Sequence, residues 1–181
     1  VREYLLGERT PTSDLMAWNA DATRMPFRMH SEYLRWFYLG NDLAQGRFDG
    51  GQPIHVEDIG VPVFAVGTET DHVAPWRSVF KLTHLLDTDL TFVLTSGGHN
   101  AEIVSEPGHA RRSYRLLEHR HGSHHPDPDT WAAGAPRVDG SWWPSWVRWL
   151  QACSGCDVPA ASHAGDCGSL CPAPGTYVLR Q

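Results

Sequence analysis

The sequence lacks both a long hydrophobic run and an excess of positive charge, and each absence excludes a class of function. No stretch approaches the ~18 consecutive apolar residues that a membrane-spanning helix needs. The formal net charge is −6, so the concentrated positive patch that nucleic acids and anionic membranes require is not expected. With 181 residues, 41% of them hydrophobic, the chain fits one ordinary globular domain or part of a larger one.

Cysteine is scarce, and all 4 copies fall after residue 152. The pairs Cys153-x-x-Cys156 and Cys167-x-x-x-Cys171 could form one tetrahedral zinc site, because thiolates at such spacing can converge on a single metal ion. The alternative is an irregular tail with free thiols, and the spacing leaves both possibilities open. A structural disulfide is disfavoured if the protein is cytosolic.

Two short apolar runs, residues 61–67 and 90–94, each predict a buried strand, because they are rich in β-branched and aromatic residues. Turn-forming residues follow each run, and then one ionisable side chain, Asp71 after the first run and His99 after the second. Residues 74–86 have helical spacing, so the unit predicts parallel strands joined by a crossover helix. The sequence therefore predicts an α/β fold with both side chains at the carboxyl edge of its sheet, where such folds bind ligands.

Asp71 and His99 together would form the acid–base half of a hydrolase-type triad. The carboxylate would hold the imidazole in one tautomer, so that its other nitrogen could take a proton from a nucleophile. Gly97 and Gly98 would let the backbone bring the ring into a tight site. The alternative is that Asp71 caps the following helix and that His99 is an ordinary loop histidine. The pattern does not decide between them, and the nucleophile is missing.

Outside this unit the sequence predicts three further helices. The strongest helical pattern covers residues 27–39, and we interpret its aromatic face as packing or interface rather than as a cofactor site. Asp129 or Thr130 is expected to cap a short helix over residues 131–135, and a final amphipathic helix has Pro144 in its first turn.

Residues 107–128 are charged and rich in histidine, and we interpret the cluster of four histidines among them as part of a loop exposed to solvent. A metal site there is the less favoured alternative, because Pro, Arg and Asp residues flank the imidazoles. The histidines concerned are His119, His121, His124 and His125.

Six motifs follow one another along the chain as they do in poly(3-hydroxyalkanoate) synthases. They are Trp18-Asn-Ala-Asp-Ala-Thr, Tyr33-Leu-Arg with Tyr38-Leu-Gly-Asn, Asp71-His-Val-Ala-Pro-Trp76, Ser96-Gly-Gly-His99, Gly140-Ser-Trp-Trp-Pro-Ser-Trp146 and Pro172-Ala-Pro-Gly-Thr-Tyr-Val178. Each motif alone has little specificity, but six in one order resemble the C-terminal third of that family. The chain also starts without a methionine and within a helical pattern, so we expect it to be a C-terminal segment of a longer protein.

The resemblance implies an α/β-hydrolase core, of the class I-like synthases, with a helical cap inserted in it. Residues 1–50 would be part of the cap, residues 51–152 the C-terminal part of the core with its last parallel strands, and residues 153–181 an irregular tail. The cap implies contacts between copies, so a homodimer or other self-association is expected. The family also implies a cytoplasmic protein at the surface of polyhydroxyalkanoate granules.

The activity implied by the resemblance is polymerisation of (R)-3-hydroxyacyl-CoA into polyester with release of CoA, without a cofactor. Asp71 would be the catalytic Asp and His99 the general base. His72 and Trp76 match positions that could line the substrate pocket, although packing is the favoured role of Trp76. Glu102 departs from the small or apolar residues usual after the His motif, which leaves the acyl-chain preference open.

The nucleophile of the family is a Cys in a Gly-x-Cys-x-Gly turn upstream of the cap. Neither that turn nor Gly-x-Ser-x-Gly occurs in these residues, so the chain alone is expected to be inactive. An ester or thioester hydrolase with the same Asp and His is one alternative, and an upstream Ser would favour it. A non-catalytic zinc-binding or partner-binding module built on the cysteines is the other.

Overall fold

The computed structural model describes residues 7, 13, 16, 24–48, 50–99 and 103–159. Helix α1 (Phe27–Tyr33) continues as a π-helix over Leu34–Leu39, and a 3₁₀ turn follows at Val56–Asp58. The later elements are β1 (Val63–Thr68), α2 (Trp76–Phe80), α3 (Leu82–Leu85), β2 (Leu90–Thr95), β3 (Ser113–His119), α4 (Pro128–Gly134), β4 (Arg137–Asp139) and α5 (Trp143–Cys153). The mixed α/β class is as predicted. The division into cap, core and tail at residues 50 and 152 stays a prediction.

The sheet has four strands in the order β1-β2-β3-β4. The predicted strand pair is confirmed, because β1 and β2 are parallel and in register from Val63 opposite Leu90 to Thr68 opposite Thr95. The crossover between them is two short helices, α2 and α3, rather than one continuous helix over residues 74–86. The strands end level with each other, so the loops that follow them lie side by side.

The prediction that the last strands are all parallel is wrong for β3 and β4. β3 runs antiparallel to β2, and β4 runs antiparallel to β3. Residues 113–119 of the charged segment are therefore a strand. The sequence Ser113–His119 hides this because Arg115 and Glu118 interrupt its apolar residues, while β4 has only three residues, all exposed.

Helix α4 begins earlier than the sequence pattern indicates. Its cap is Asp127, whose side chain accepts hydrogen bonds from the backbone N–H groups of Asp129 and Thr130, each at 3.0 Å. Pro128 occupies the first turn, where its missing N–H costs no intrahelical bond. Asp129 and Thr130, which the sequence predicts as caps, are thus the residues whose N–H groups Asp127 caps.

The sheet is covered on both faces, which explains why β2 is mostly apolar and is buried at every position. On one face Phe92 packs between Phe80 of α2 and Trp131 of α4, with both pairs of ring centroids 5.1 Å apart. On the other face Val93 forms a smaller cluster with Tyr114 and Trp142. These two layers hold β1 and β2 firmly at the positions from which the Asp71 and His99 loops begin.

The predicted helix over residues 27–39 is confirmed, with its second half in the π form. None of its residues is buried, and large apolar side chains on it, including Phe27 and Leu39, are exposed. No helix within the described ranges is long and apolar enough to cross a membrane.

Candidate active site

The site is formed by the two loops that leave the carboxyl ends of β1 and β2. Backbone hydrogen bonds continue the pairing beyond the strands: Glu69 N–H donates to the Thr95 carbonyl at 3.0 Å, and Thr70 N–H donates to the Gly97 carbonyl at 2.9 Å. Gly97 has φ +90°, a conformation that residues with a Cβ rarely adopt. The sequence's glycines therefore serve the turn that carries His99 back toward the Asp71 loop.

Asp71 and His99, predicted from separate strand ends, are in direct contact. His99 Nδ1 lies 2.9 Å from Asp71 Oδ2 and 3.1 Å from Asp71 Oδ1. Because a carboxylate only accepts, Nδ1 carries the proton in this contact. Nε2 is then the nitrogen that can take a proton from another group. The Asp71 side chain is 7% exposed and that of His99 is 41% exposed, so the carboxylate is shielded while the imidazole is reachable.

Asp71 also organises its own loop. The backbone N–H groups of Val73 and Ala74 donate to its Oδ1 at 2.8 and 2.9 Å, and the Thr68 hydroxyl donates to its Oδ2 at 3.3 Å. The Ala74 N–H, the His99 imidazole and the Val73 N–H hold the pKa of the carboxyl well below its usual range. These contacts therefore favour the ionised form of Asp71.

Comparison with characterised proteins decides the family. No family model matches the chain. Poly(3-hydroxyalkanoate) polymerase 2 of Ectopseudomonas oleovorans is 39% identical over 99% of this chain and 32% of its own length. The corresponding polymerase of Methylorubrum extorquens is 40% identical over 98% of this chain and 29% of its own length. The polymerase subunit PhaC of Cupriavidus necator is 37% identical over 98% of this chain and 30% of its own length.

The chain belongs to the poly(3-hydroxyalkanoate) polymerase family and corresponds to a segment of its members. It spans about 30% of the length of the curated relatives it matches. The resemblance inferred from six ordered motifs is confirmed.

Two further residues are predicted from the sequence to line the substrate pocket. His72 is exposed beside Asp71. Trp76 begins α2 and packs into the core against Phe80 and Trp131, with ring centroids 6.1 and 6.3 Å apart, and the Arg77 guanidinium covers its ring. Trp76 thus has the packing role that the sequence favoured, and a substrate contact of either residue stays a prediction. Glu102 lies outside the described residues.

The zinc alternative is only partly visible. Cys153 and Cys156 are exposed free thiols at and just beyond the end of α5, whereas Cys167 and Cys171 lie outside the described residues. Within the part of the chain that the structure describes, no group of three or more His, Cys, Asp or Glu side chains could hold a metal ion. A zinc site completed by all four cysteines stays a prediction.

The histidine-rich segment is partly packed rather than fully solvated. The rings of His119 and His125 lie 3.9 Å apart between centroids, and His84 of α3 lies 5.5 Å from His125. His119 Nε2 and His125 Nδ1 are shielded from solvent without a hydrogen-bond partner. Such burial favours the neutral form of the His125 imidazole.

We expect His125→Phe to reduce the loss of stability in acid. Burial first, and then His119, His84 and His124, lower the pKa of His125, while Asp87 opposes them. Below pH ~6.5 the unfolded chain therefore binds more protons at this site, so stability falls as the pH falls, by at most about 1.4 kcal/mol per pH unit for one proton. Phe keeps the ring but cannot be protonated.

The measurement is the urea midpoint of the complete protein at pH 7.5 and pH 5.5. The matched control is His30→Phe, which replaces an exposed imidazole on α1. Equal acid sensitivity of wild type and His125→Phe would show that this histidine does not contribute.

Proposed function

We propose that this segment supplies the Asp and the His of a Cys-His-Asp triad in a polymerase that transfers (R)-3-hydroxyacyl groups from CoA to a growing polyester. The observation that carries the proposal is the contact between His99 Nδ1 and Asp71 Oδ2 at 2.9 Å, at the carboxyl ends of adjacent parallel strands. The names of the curated relatives support polyester synthesis as the overall reaction. The Cys is expected upstream of these residues.

In the first step His99 Nε2 takes the proton of the Cys thiol, and the thiolate attacks the thioester carbonyl of the acyl-CoA. The bond between the acyl carbon and the CoA sulfur breaks, and CoA leaves with the proton returned from the imidazolium. In the second step the 3-hydroxyl of an acyl unit attacks the acyl-Cys. His99 accepts the hydroxyl proton and returns it to the Cys sulfur, so the thiol is restored and one ester bond is formed.

The surroundings of Asp71 favour an orienting role over direct attack on a hydroxyl proton. Its oxygens already accept from Val73, Ala74, Thr68 and His99. A carboxylate with a pKa far below the ordinary range is a weak base. Asp71 would therefore hold the Nδ1–H tautomer of His99 and stabilise the imidazolium formed in each step.

The remaining features of the proposal follow from the family. His72 and Trp76 would border the site of the acyl-CoA, residues 1–50 would belong to the cap, and the protein would work in the cytoplasm at the granule surface. The exposed apolar side chains of α1 and its π-helical extension support self-association, because exposed apolar patches commonly mark interaction surfaces.

The test is product analysis with (R)-3-hydroxybutyryl-CoA and the complete protein. A polymerase releases CoA and forms polyester, whereas a hydrolase with the same Asp and His releases CoA and free 3-hydroxybutyrate. The 181-residue chain alone is the control and is expected to release no CoA, because it has no Gly-x-Cys-x-Gly turn. Stoichiometric free acid without polymer would replace the polymerase assignment with the hydrolase one.

A further inference from the structure

Thr68 is the last residue of β1 and stands three positions before Asp71. Its side chain is at the buried end of the strand, with 2% of the residue exposed. A hydroxyl in such a place costs free energy unless it donates to an acceptor. In the structure the Thr68 hydroxyl donates to Asp71 Oδ2 at 3.3 Å.

The hydrogen bonds of Asp71 are divided between its two oxygens. Oδ1 accepts from the backbone of Val73 and Ala74, which fixes one corner of the carboxylate. His99 Nδ1 contacts both oxygens, Oδ2 at 2.9 Å and Oδ1 at 3.1 Å, and among the described residues Thr68 is the other donor to Oδ2. With Oδ1 fixed, the position of Oδ2 decides the plane of the carboxylate and thus the direction in which it holds the imidazole.

We propose that Thr68 is a positioning residue for the acyl-transfer reaction, its hydroxyl fixing the Asp71 carboxylate in the orientation that aims His99. The proposal rests on the proposed function and adds a residue that does not touch the substrate. A threonine at the end of a strand is also a common packing residue. The two roles differ in one atom, because only the positioning role needs the hydroxyl.

The chain offers a matched control in Thr95, which ends β2 directly opposite Thr68 and is 1% exposed. Its backbone carbonyl accepts from Glu69 N–H, a bond that a substitution of the side chain leaves in place. Thr68→Val and Thr95→Val each replace a buried hydroxyl by a methyl group of similar size. Of these two threonines, only Thr68 donates a hydroxyl hydrogen bond to Asp71.

The experiment measures kcat and KM for CoA release by the complete protein with (R)-3-hydroxybutyryl-CoA. Loss of a hydrogen bond to a charged group predicts a fall in kcat of about 10-fold for Thr68→Val. We expect KM to change by less than about 2-fold, because the residue acts only on the alignment of the reacting groups. Thr68→Ser keeps the hydroxyl and is expected to restore most of the loss, and Thr95→Val should keep kcat near that of the wild type.

A second readout follows the contact itself. The Nδ1–H proton of His99, held by Asp71, is expected in the downfield region of the proton NMR spectrum, and Thr68→Val should weaken or broaden its signal while Thr95→Val leaves it unchanged. If Thr68→Val does not fold, Thr68→Ser and Thr68→Ala give the same comparison, because both side chains are smaller than the one they replace.

The outcomes separate this inference from the proposed function. Normal kcat in Thr68→Val, together with loss of activity in His99→Ala, would overturn the positioning role and leave the triad intact. An equal loss in Thr68→Ser and Thr68→Val would show that packing, and not the hydroxyl, matters. Full activity of His99→Ala would overturn the proposed function itself.

Discussion

His99→Ala is expected to lower the kcat of CoA release by the complete protein by about 10⁴- to 10⁶-fold. In the proposed mechanism the imidazole takes the thiol proton in one step and the hydroxyl proton in the next, so its loss slows both. Alanine also leaves the Asp71 loop unchanged, because Val73 and Ala74 still donate to the carboxylate. The measurement is the initial rate of CoA release from (R)-3-hydroxybutyryl-CoA, with binding followed separately through KM.

His109→Ala is the matched control for this experiment. His109 Nδ1 also contacts a carboxylate oxygen, Glu106 Oε1 at 2.8 Å, and its side chain is 39% exposed, close to the 41% of His99. Each substitution therefore removes an imidazole of similar exposure that contacts a carboxylate, at a different place in the structure. Similar rates for His99→Ala and wild type would refute the triad, and a similar loss in His109→Ala would point to a general effect on folding.

The parallel strand pair and its two loops could be predicted because the physical signals are local. An apolar run followed by turn residues marks a strand covered on both faces, and β1 and β2 are such strands. The carboxyl ends of neighbouring parallel strands share one edge of a sheet, so the sequence alone predicts that Asp71 and His99 lie close together. Their contact at 2.9 Å agrees with that expectation.

The features that the sequence concealed depend on tertiary context. β3 joins the sheet although its pattern is interrupted by charges, because it pairs with the fully buried β2 on one side and with β4 on the other. The sequence does not distinguish Asp127 as the helix cap, because the polar residues that follow it have a similar propensity for the cap position. No sequence pattern marks Thr68, because threonine is common in strands. Only the turn that follows it brings Asp71 within hydrogen-bond distance of its hydroxyl.

The two interpretations of Asp71 that the sequence left open are both partly right. The carboxylate accepts from Val73 and Ala74 and so holds the turn before α2, as a structural residue would. The cap position of α2 itself is Pro75. The same turn fixes Oδ1 and leaves Oδ2 toward His99. Local structure and the proposed chemistry therefore share a single carboxylate, with Oδ1 held by the turn and Oδ2 nearest to His99.

That division predicts the effect of Asp71→Asn, which keeps the shape of the side chain and removes its charge. Val73 and Ala74 N–H require an acceptor at the Oδ1 position, so the amide oxygen is expected there and the NH₂ group at the Oδ2 position. An NH₂ donor 2.9 Å from His99 Nδ1 needs that nitrogen as an acceptor. The imidazole proton then lies on Nε2, the nitrogen that has to receive the proton of the nucleophile. We expect kcat for CoA release to fall by about 10³- to 10⁴-fold.

A single-turnover experiment with Asp71→Asn separates an orienting carboxylate from one that attacks the hydroxyl proton directly. If Asp71 orients His99, formation of the acyl-enzyme needs it, and the first equivalent of CoA is released as slowly as the later ones. If Asp71 acts only on the incoming hydroxyl, the first equivalent appears at the wild-type rate and turnover stops there. Asp58→Asn, an exposed carboxylate remote in sequence from both loops, is the control. A fast release of the first equivalent of CoA would therefore assign Asp71 to the second step. It would contradict the orienting role that the four hydrogen bonds of Asp71 support.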